Sequence, residues 1–262
     1  MITPLDAAHE AMEAAPQDDA ARLRFYDRLA GVELFLLLAE EPEGDNIRPQ
    51  VFPVDGQSLV LAFDQEERLS AFVEGAAAPY AVLSGRSLAQ MLAPQSMGLG
   101  LNLGVAPSSI ILDGDAMVWL AETLSARPDE IEEAPEELSA PAGVPEAVLT
   151  AIDAKLAAAG GLAKMAYLAL AQYSGGRKAH LVAFINPLPG AEPALARAVA
   201  EALTFSGIEA GSLDVAFFKA SDQVAASLAR VGLRFDLPAP EQTNHVPGSA
   251  PGMDPSKPPK LR

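Results

Sequence analysis

Apolar residues near the start of the chain recur first at helical spacing and then in one unbroken run. Thr3, which is followed by a proline, can cap a helix that extends to about residue 15. A second helix is predicted over residues 18–29, with Gly31 in the left-handed conformation that often closes a helix. The apolar run that follows predicts a strand over residues 32–39, buried on both faces and central in its sheet.

The next segment alternates strand and helix patterns. Two apolar runs flank the Asp-Gly step at 55–56, which favours a tight turn and predicts a β-hairpin. Pro53 cannot donate to a strand ladder, so we expect its strand at an edge or a bulge. Asp64, with a glutamate three residues later, predicts a capped helix that covers the hairpin. A short strand over residues 80–83 and a helix capped by Ser84 repeat the pattern.

Residues 98–104 read Gly-Leu-Gly-Leu-Asn-Leu-Gly and alternate strictly. In a strand this pattern places the leucines on one face and leaves nearly bare backbone on the other. Another chain, a helix or a ligand can approach such a face closely. Packing of a helix of the same domain is the alternative, in which the face has no binding role. If the face is open, we expect an interaction surface formed by Gly98, Gly100, Asn102 and Gly104.

A strand over residues 110–112 and a helix that contains Trp119 complete the first unit. Asp113 is placed to cap this helix. The chain then becomes rich in glutamate and proline, and residues 127–144 predict a linker, because like charges and prolines disfavour a packed element.

Helical and strand patterns also alternate in the second unit. A helix is followed by a hairpin that turns at residues 174–176, a further helix, a strand, a short helix capped by Ser221, and a half-exposed strand that ends at Leu237. We therefore expect an α+β protein of two small domains, each a mixed sheet with flanking helices. The predicted divisions are residues 1–126, a linker at 127–144, a second domain at 145–238 and a disordered Pro-rich tail at 239–262.

Charge limits the classes of partner. The chain has 35 acidic and 18 basic residues, and its net charge is −17. This charge repels phosphate backbones and anionic lipids over a Debye length of about 10 Å, so we expect neither nucleic acid nor membrane partners. No secretory signal is recognisable, and no apolar run approaches the roughly 20 residues of a membrane helix. A cytoplasmic location is the resulting expectation.

The residues that most often carry catalysis are scarce. The chain has no cysteine, and its three histidines, His9, His180 and His245, lie far apart in sequence. Because imidazole, thiolate and the metals they hold supply most polar catalysis near neutral pH, we predict no catalytic residue, no metal site and no cofactor. The Gly-rich basic segment at 174–178 lacks the phosphate-loop spacing, and Asp113 and Asp115 lack the later ligands of a calcium loop.

Four segments carry a family resemblance: Val-Phe-Pro-Val-Asp-Gly at 51–56, Phe-Asp-Gln-Glu-Glu-Arg-Leu at 63–69, Leu-Ser-Gly-Arg-Ser-Leu at 83–88 and Gly-Leu-Gly-Leu-Asn-Leu at 98–103. Together they resemble the N-terminal domain of the SseB (enhanced serine sensitivity) family. The order of elements through Leu237 is similar to that family's C-terminal domain. The resemblance implies no established enzymatic activity and supplies no catalytic residues. The family name is also attached to type III secretion, partly through a translocon protein that shares it.

These observations predict a non-enzymatic interaction or regulatory protein whose acidic surface selects basic or mixed-charge protein partners. The alternative is an enzyme that uses carboxylates or a bound organic cofactor in a pocket between the two domains. Sensitivity of partner binding to salt would indicate the first function, and stabilisation of the fold by one cofactor would indicate the second.

Overall fold

The computed structural model describes residues 2–42, 46–54, 56–125, 134–207 and 213–239. They form two domains, each a mixed β-sheet with helices packed on it, which confirms the predicted α+β class. Apart from its first residue, the predicted tail lies outside the described residues. No helix within them is both long enough and apolar enough to cross a membrane.

The first domain is built on a six-stranded sheet. Its elements, in chain order, are α1 (Pro4–Ala14), α2 (Asp19–Gly31), β1 (Glu33–Leu37), β2 (Val51–Val54), β3 (Gln57–Phe63), α3 (Glu66–Phe72), β4 (Tyr80–Ser84), α4 (Gly85–Leu92), β5 (Gly98–Leu101), β6 (Ile110–Leu112) and α5 (Gly114–Ser125). The strand order is β4-β1-β3-β5-β6, and β2 pairs with β3. Only the β3–β5 pair is parallel among these.

The predicted central strand and hairpin are both present. β1 has a neighbour on each side, and Leu34 and Leu36 are fully buried. β2 and β3 pair in antiparallel fashion, and Gly56 in their turn has a φ of 83°. Asp55 lies outside the described residues. Pro53 lies in β2, which pairs with β3 alone in the named sheet, so its predicted edge position is confirmed.

The predicted helix caps at Thr3, Ser84 and Asp113 are confirmed. The backbone N–H of Asp6 donates to Thr3 Oγ1, and the backbone N–H of Thr3 donates to an Asp6 carboxylate oxygen, which completes a capping box. The N–H of Ser87 donates to Ser84 Oγ over 3.1 Å. The N–H of Ala116 donates to Asp113 Oδ1 over 2.8 Å.

Three other predictions about helix ends are wrong in the conformation or the capping residue, although α2 does end at Gly31. Gly31 does not have a positive φ, because the extended Val32 carries the chain directly from α2 into β1. Asp64 does not cap α3, since its carboxylate is taken by Arg68 and Thr3. Ser221 does not cap the helix that follows it, whose N-cap residue is Asp222 and makes no side-chain capping bond.

The second domain is built on a five-stranded sheet. Its elements, in chain order, are β7 (Glu137–Ser139), α6 (Glu146–Ala158), β8 (Met165–Gln172), β9 (Lys178–Ile185), α7 (Glu192–Ser206), β10 (Leu213–Phe218), α8 (Gln223–Val231) and β11 (Leu233–Asp236). The strand order is β10-β9-β8-β11, with β7 also paired to β8. β9 and β10 are parallel, and the other pairs are antiparallel.

β7 lies inside the segment predicted as a linker, 127–144, so these three residues of it form a strand rather than an unpaired connection. They pair with β8 in register, and Leu138 packs against the apolar cluster beneath α8. These three residues of the acidic segment therefore belong to the second sheet. Residues 126–133 lie outside the described part of the chain.

Hydrophobic packing is not divided strictly by domain. The main core of the first domain lies between its sheet and α1, α2, α4 and α5, and a smaller cluster under α3 covers the opposite face. Phe205, from α7 of the second domain, is a member of the first domain's core and is 2% exposed. The first domain is therefore completed by a side chain from the second.

Candidate functional site

The four residues of the predicted interaction surface lie in β5 and in the turn after it. Gly98, Gly100 and Asn102 are buried, and Gly104 is exposed. A Cβ atom placed on Gly100 would lie 2.6 Å from Leu61 Cδ2 and 2.7 Å from Leu103 Cδ1. Leucines of the same domain therefore cover the bare backbone at Gly100, and both belong to the apolar cluster under α3. The face on which the predicted interaction surface depends is therefore closed at Gly98, Gly100 and Asn102, and of the four residues Gly104 alone is exposed.

The alternating strand pattern predicted over residues 98–104 stops at Asn102. β5 ends at Leu101, and Asn102 has a φ of 50°, a left-handed conformation that asparagine tolerates better than most residues. Leu103 consequently joins the cluster under α3, while Leu99 and Leu101 remain in the main core. The turn residue also serves as a connector, because Asn102 Oδ1 accepts from the backbone N–H of Asp64 and Nδ2 donates to Ser108 Oγ.

A buried network of charged side chains adjoins this turn. The Arg68 side chain is 8% exposed and donates through Nη1 to Asp6 Oδ1 over 2.9 Å and to Asp64 Oδ1 over 2.8 Å. Thr3 Oγ1 donates to Asp64 Oδ2 over 2.7 Å, and Ser108 Oγ also donates to Asp6. The network joins α1, α3 and the loop between β5 and β6.

Hydrogen bonding keeps Asp6 ionised within this network. Burial alone raises the pKa of the Asp6 carboxyl, but hydrogen bonds from Arg68, Ser108 and Thr3 outweigh it and hold the pKa well below the ordinary 3.8. Asp6 is therefore a carboxylate throughout the neutral range. With both carboxylate side chains 1% exposed, the network is closed to a ligand and serves to hold α1 against the sheet.

The two domains meet around a second cluster of charges. Arg86 of α4 binds both oxygens of Glu201 on α7, at 2.7 and 2.9 Å. Lys155 of α6 lies 3.0 Å from Glu201 Oε2, and it also pairs with Asp27 of α2. Its ammonium group lies over the Phe205 ring, 5.6 Å from the centroid. Carboxylates at this junction are thus matched by cations of the opposite domain or the neighbouring helix.

A groove of about 440 Å³ opens on the first domain, lined by residues of α2 and α5. On α2, Asp19, Leu23 and Tyr26 follow one another at about one helical turn, and on α5 Asp115 and Trp119 do the same. Tyr26 and Trp119 meet edge to face, with their ring centroids 5.0 Å apart. The groove therefore combines aromatic surface with two carboxylates.

The charge within the groove is only partly neutralised. Arg22 Nη2 donates to Asp19 Oδ1 over 2.8 Å. Asp115 has no hydrogen-bond or ion-pair partner among the described residues. Burial raises the pKa of the Tyr26 phenol, and the charge of Asp113 raises it further. A neutral tyrosine, an exposed indole and an unpaired carboxylate thus lie together.

The groove residues do not stand out in the sequence. Trp119 is the single tryptophan of the chain, but its place in a helix with apolar neighbours is typical of a core residue. In the structure it is 38% exposed. The sequence does contain two indications of the groove: the i,i+4 spacing of Asp115 and Trp119, and a similar helical spacing of the groove residues on α2. Only the fold, in which α2 and α5 both pack on α4, brings the two rows together.

The second domain has a cavity and a histidine, neither of which is part of the groove. A second cavity of about 390 Å³, lined by Pro141, Val144, Leu149 and Leu233 among others, has no charged side chain in its wall. His180 lies on β9, and its Nε2 is 3.1 Å from the carbonyl oxygen of Ala142. Across the described ranges, no group of three or more histidine and acidic side chains is placed to hold a metal ion.

The fold and the groove define a two-domain α+β protein with an aromatic, acidic depression on its first domain. Residues 5–119 match the family model for the SseB protein N-terminal domain. The first domain is therefore an SseB N-terminal domain, as the resemblance predicted, and the match itself carries no activity. No curated protein and no solved structure matches the chain significantly. The matched region contains the groove residues from Asp19 to Trp119, whereas Phe205 lies outside it.

Proposed function

We propose that this protein acts by binding basic or mixed-charge protein partners rather than by catalysis, and that the groove between α2 and α5 is the point of contact. The observation that carries the proposal is Trp119, which is half-exposed beside Tyr26 and Asp115. Exposed aromatic residues are enriched at protein interfaces, because a large ring loses little conformational freedom on binding.

The charge of the whole chain supports the same partner class. A net charge of −17 attracts basic surfaces and accelerates their association, and salt weakens this attraction. Within the groove, Asp19 and Asp115 lie in the first turns of their helices, where the helix dipole favours a carboxylate. A cationic group therefore meets complementary charge both at long range and on contact.

The second domain and the cellular location are also part of the proposed function. We infer that the second domain is the SseB C-terminal domain, on the order of its elements, and that it supports the first by contributing Phe205 to its core. The proposal also includes a cytoplasmic location, which cell fractionation can check.

Capture of partners from the cell of origin tests the function. The full chain is immobilised, and bound proteins are compared at low and raised salt for the wild type and for two charge-matched double variants. Asp19→Asn with Asp115→Asn neutralises the groove. Glu13→Gln with Asp153→Asn removes two exposed carboxylates from α1 and α6.

We expect one stoichiometric basic partner at low salt, its loss at raised salt, and its loss with the groove variant alone. Recovery of no stoichiometric partner at low salt would contradict the function. Equal loss with both variants would contradict the assignment of the contact to the groove.

A further inference from the structure

The structure assigns a specific occupant to the groove: we propose that it holds one arginine side chain of the partner, stacked on Trp119 and paired with Asp115. This inference rests on the proposed function, since it names the group that the acidic surface recognises. A guanidinium is planar, stacks on aromatic faces and binds a carboxylate through two N–H groups.

The second domain contains a filled example of the same combination of groups. The guanidinium of Arg177 lies over the Tyr173 ring, 4.0 Å from its centroid, and its Nη1 is 3.0 Å from Asp214 Oδ2. An aromatic ring, a guanidinium and a carboxylate thus form one unit within this chain. The groove presents the ring and the carboxylate, in Trp119 and Asp115, with no cation of the described residues placed over the indole.

The groove's own arginine does not occupy this position. Arg22 is bound to Asp19, and both side chains are more than half exposed. Asp19 is therefore partly neutralised, and Asp115 is left as the carboxylate that an incoming cation can pair with. Ammonium groups are more strongly hydrated and lack the planar fork, so stacking beside a carboxylate favours arginine over lysine.

The single tryptophan makes the occupant directly measurable. Because Trp119 is the one tryptophan in the full chain, all tryptophan emission comes from a residue that lines the groove. The probes are three acetylated and amidated peptides of sequence Gly-Ser-X-Ser-Gly, in which X is arginine, lysine or citrulline. Citrulline keeps the planar shape of arginine and removes its charge. Calorimetry with each peptide measures binding independently of the tryptophan.

We expect a saturable change in Trp119 emission with the arginine peptide, a Kd several-fold higher for lysine and at least tenfold higher for citrulline. Asp115→Asn raises the Kd for the arginine peptide several-fold, whereas Asp153→Asn leaves it unchanged. Equal Kd values for arginine and citrulline, or for arginine and lysine, would overturn the inference.

The two proposals fail in different ways. Salt-dependent binding seen by calorimetry without any change in Trp119 emission places the cation elsewhere on the acidic surface, which overturns the inference and leaves the proposed function intact. Absence of binding for both cationic peptides in calorimetry overturns the inference, and absence of a captured partner as well overturns the function.

Discussion

Phe205 provides the sharpest test of how the two domains depend on each other. It belongs to α7 of the second domain, yet its ring packs in the core of the first domain and is 2% exposed. Trp119 lies edge to face against it, with ring centroids 6.5 Å apart, and Lys155 lies over the ring. Phe205→Ala therefore opens a cavity in a domain to which the residue does not belong in sequence.

The size of the effect follows from burial. Removing a buried phenylalanine side chain costs roughly 3–5 kcal/mol, from lost transfer free energy and from the cavity that remains. A domain of this size has a free energy of unfolding of roughly 5–15 kcal/mol. The substitution therefore removes a large fraction of the first domain's stability.

The assay is equilibrium unfolding in urea, followed by Trp119 fluorescence and by circular dichroism. Trp119 lies in the first domain, so its transition reports on that domain. We expect Phe205→Ala to lower the free energy of unfolding in the fluorescence transition by about 3–5 kcal/mol. Full coincidence of the two probes in the wild type is the condition for two-state treatment.

Leu203→Ala is the matched control, since Leu203 lies on the same helix, two residues earlier, and is less buried. It tests whether any truncation on α7 has the same effect, and we expect a loss of about 1 kcal/mol. A loss for Phe205→Ala no larger than that of Leu203→Ala would refute the reasoning that Phe205 completes the first domain's core.

Three further predictions address the remaining contacts. Gly100→Val destabilises the protein by roughly 1–3 kcal/mol in thermal or urea unfolding, because a Cβ there collides with leucine side chains. Gly31→Ala, with open space and helical backbone, is its control and is neutral or stabilising. Asp6→Asn destabilises by about 3 kcal/mol at neutral pH, since Arg68 loses a buried partner. Because the pKa of Asp6 is lowered in the folded protein, its carboxylate contributes fully to the free energy of unfolding above the ordinary pKa of 3.8. We therefore expect the difference in the free energy of unfolding between wild type and Asp6→Asn to narrow as the pH falls below 3.8. Glu201→Gln costs roughly 2 kcal/mol in the same unfolding assay, through its two cationic partners.

Each of these predictions has a contrary outcome. Wild-type stability in Gly100→Val would mean that the face over β5 is open after all. A constant difference between wild type and Asp6→Asn down to pH 2 would show that the carboxylate charge is not what stabilises the network. Unchanged stability in Glu201→Gln would mean that the charges at the domain junction contribute nothing net.

Local signals predicted local structure well. Thr3, followed by proline and an acid, specifies a helix start through neighbours in sequence, and the capping box forms as expected. Asp64 carries a similar signal, but Arg68 and Thr3 bind its carboxylate, and Thr3 is 61 positions away in sequence. A distant partner therefore overrides the local preference, and spacing alone cannot show that partner.

The buried glycine face and the exposed Trp119 both differ from what the sequence pattern indicates, and for the same reason. The glycines at 98 and 100 leave space over the sheet, and Leu61 and Leu103 fill it, which depends on how neighbouring strands and the following turn are placed. Trp119 has apolar neighbours in sequence and yet is half-exposed, because its ring lines the groove between α2 and α5 instead of being enclosed in the core. Burial of a strand or helix face is a tertiary property, so the periodicity of one element does not determine it.

The most direct test of the groove is the ¹H–¹⁵N spectrum of the full chain during titration with the arginine peptide. The chain has one tryptophan and so one indole N–H signal, which comes from Trp119. We expect this signal to move saturably, together with backbone amides of α2 and of the first turns of α5. Saturable shifts confined to other parts of the protein, with the indole signal unmoved, would contradict it.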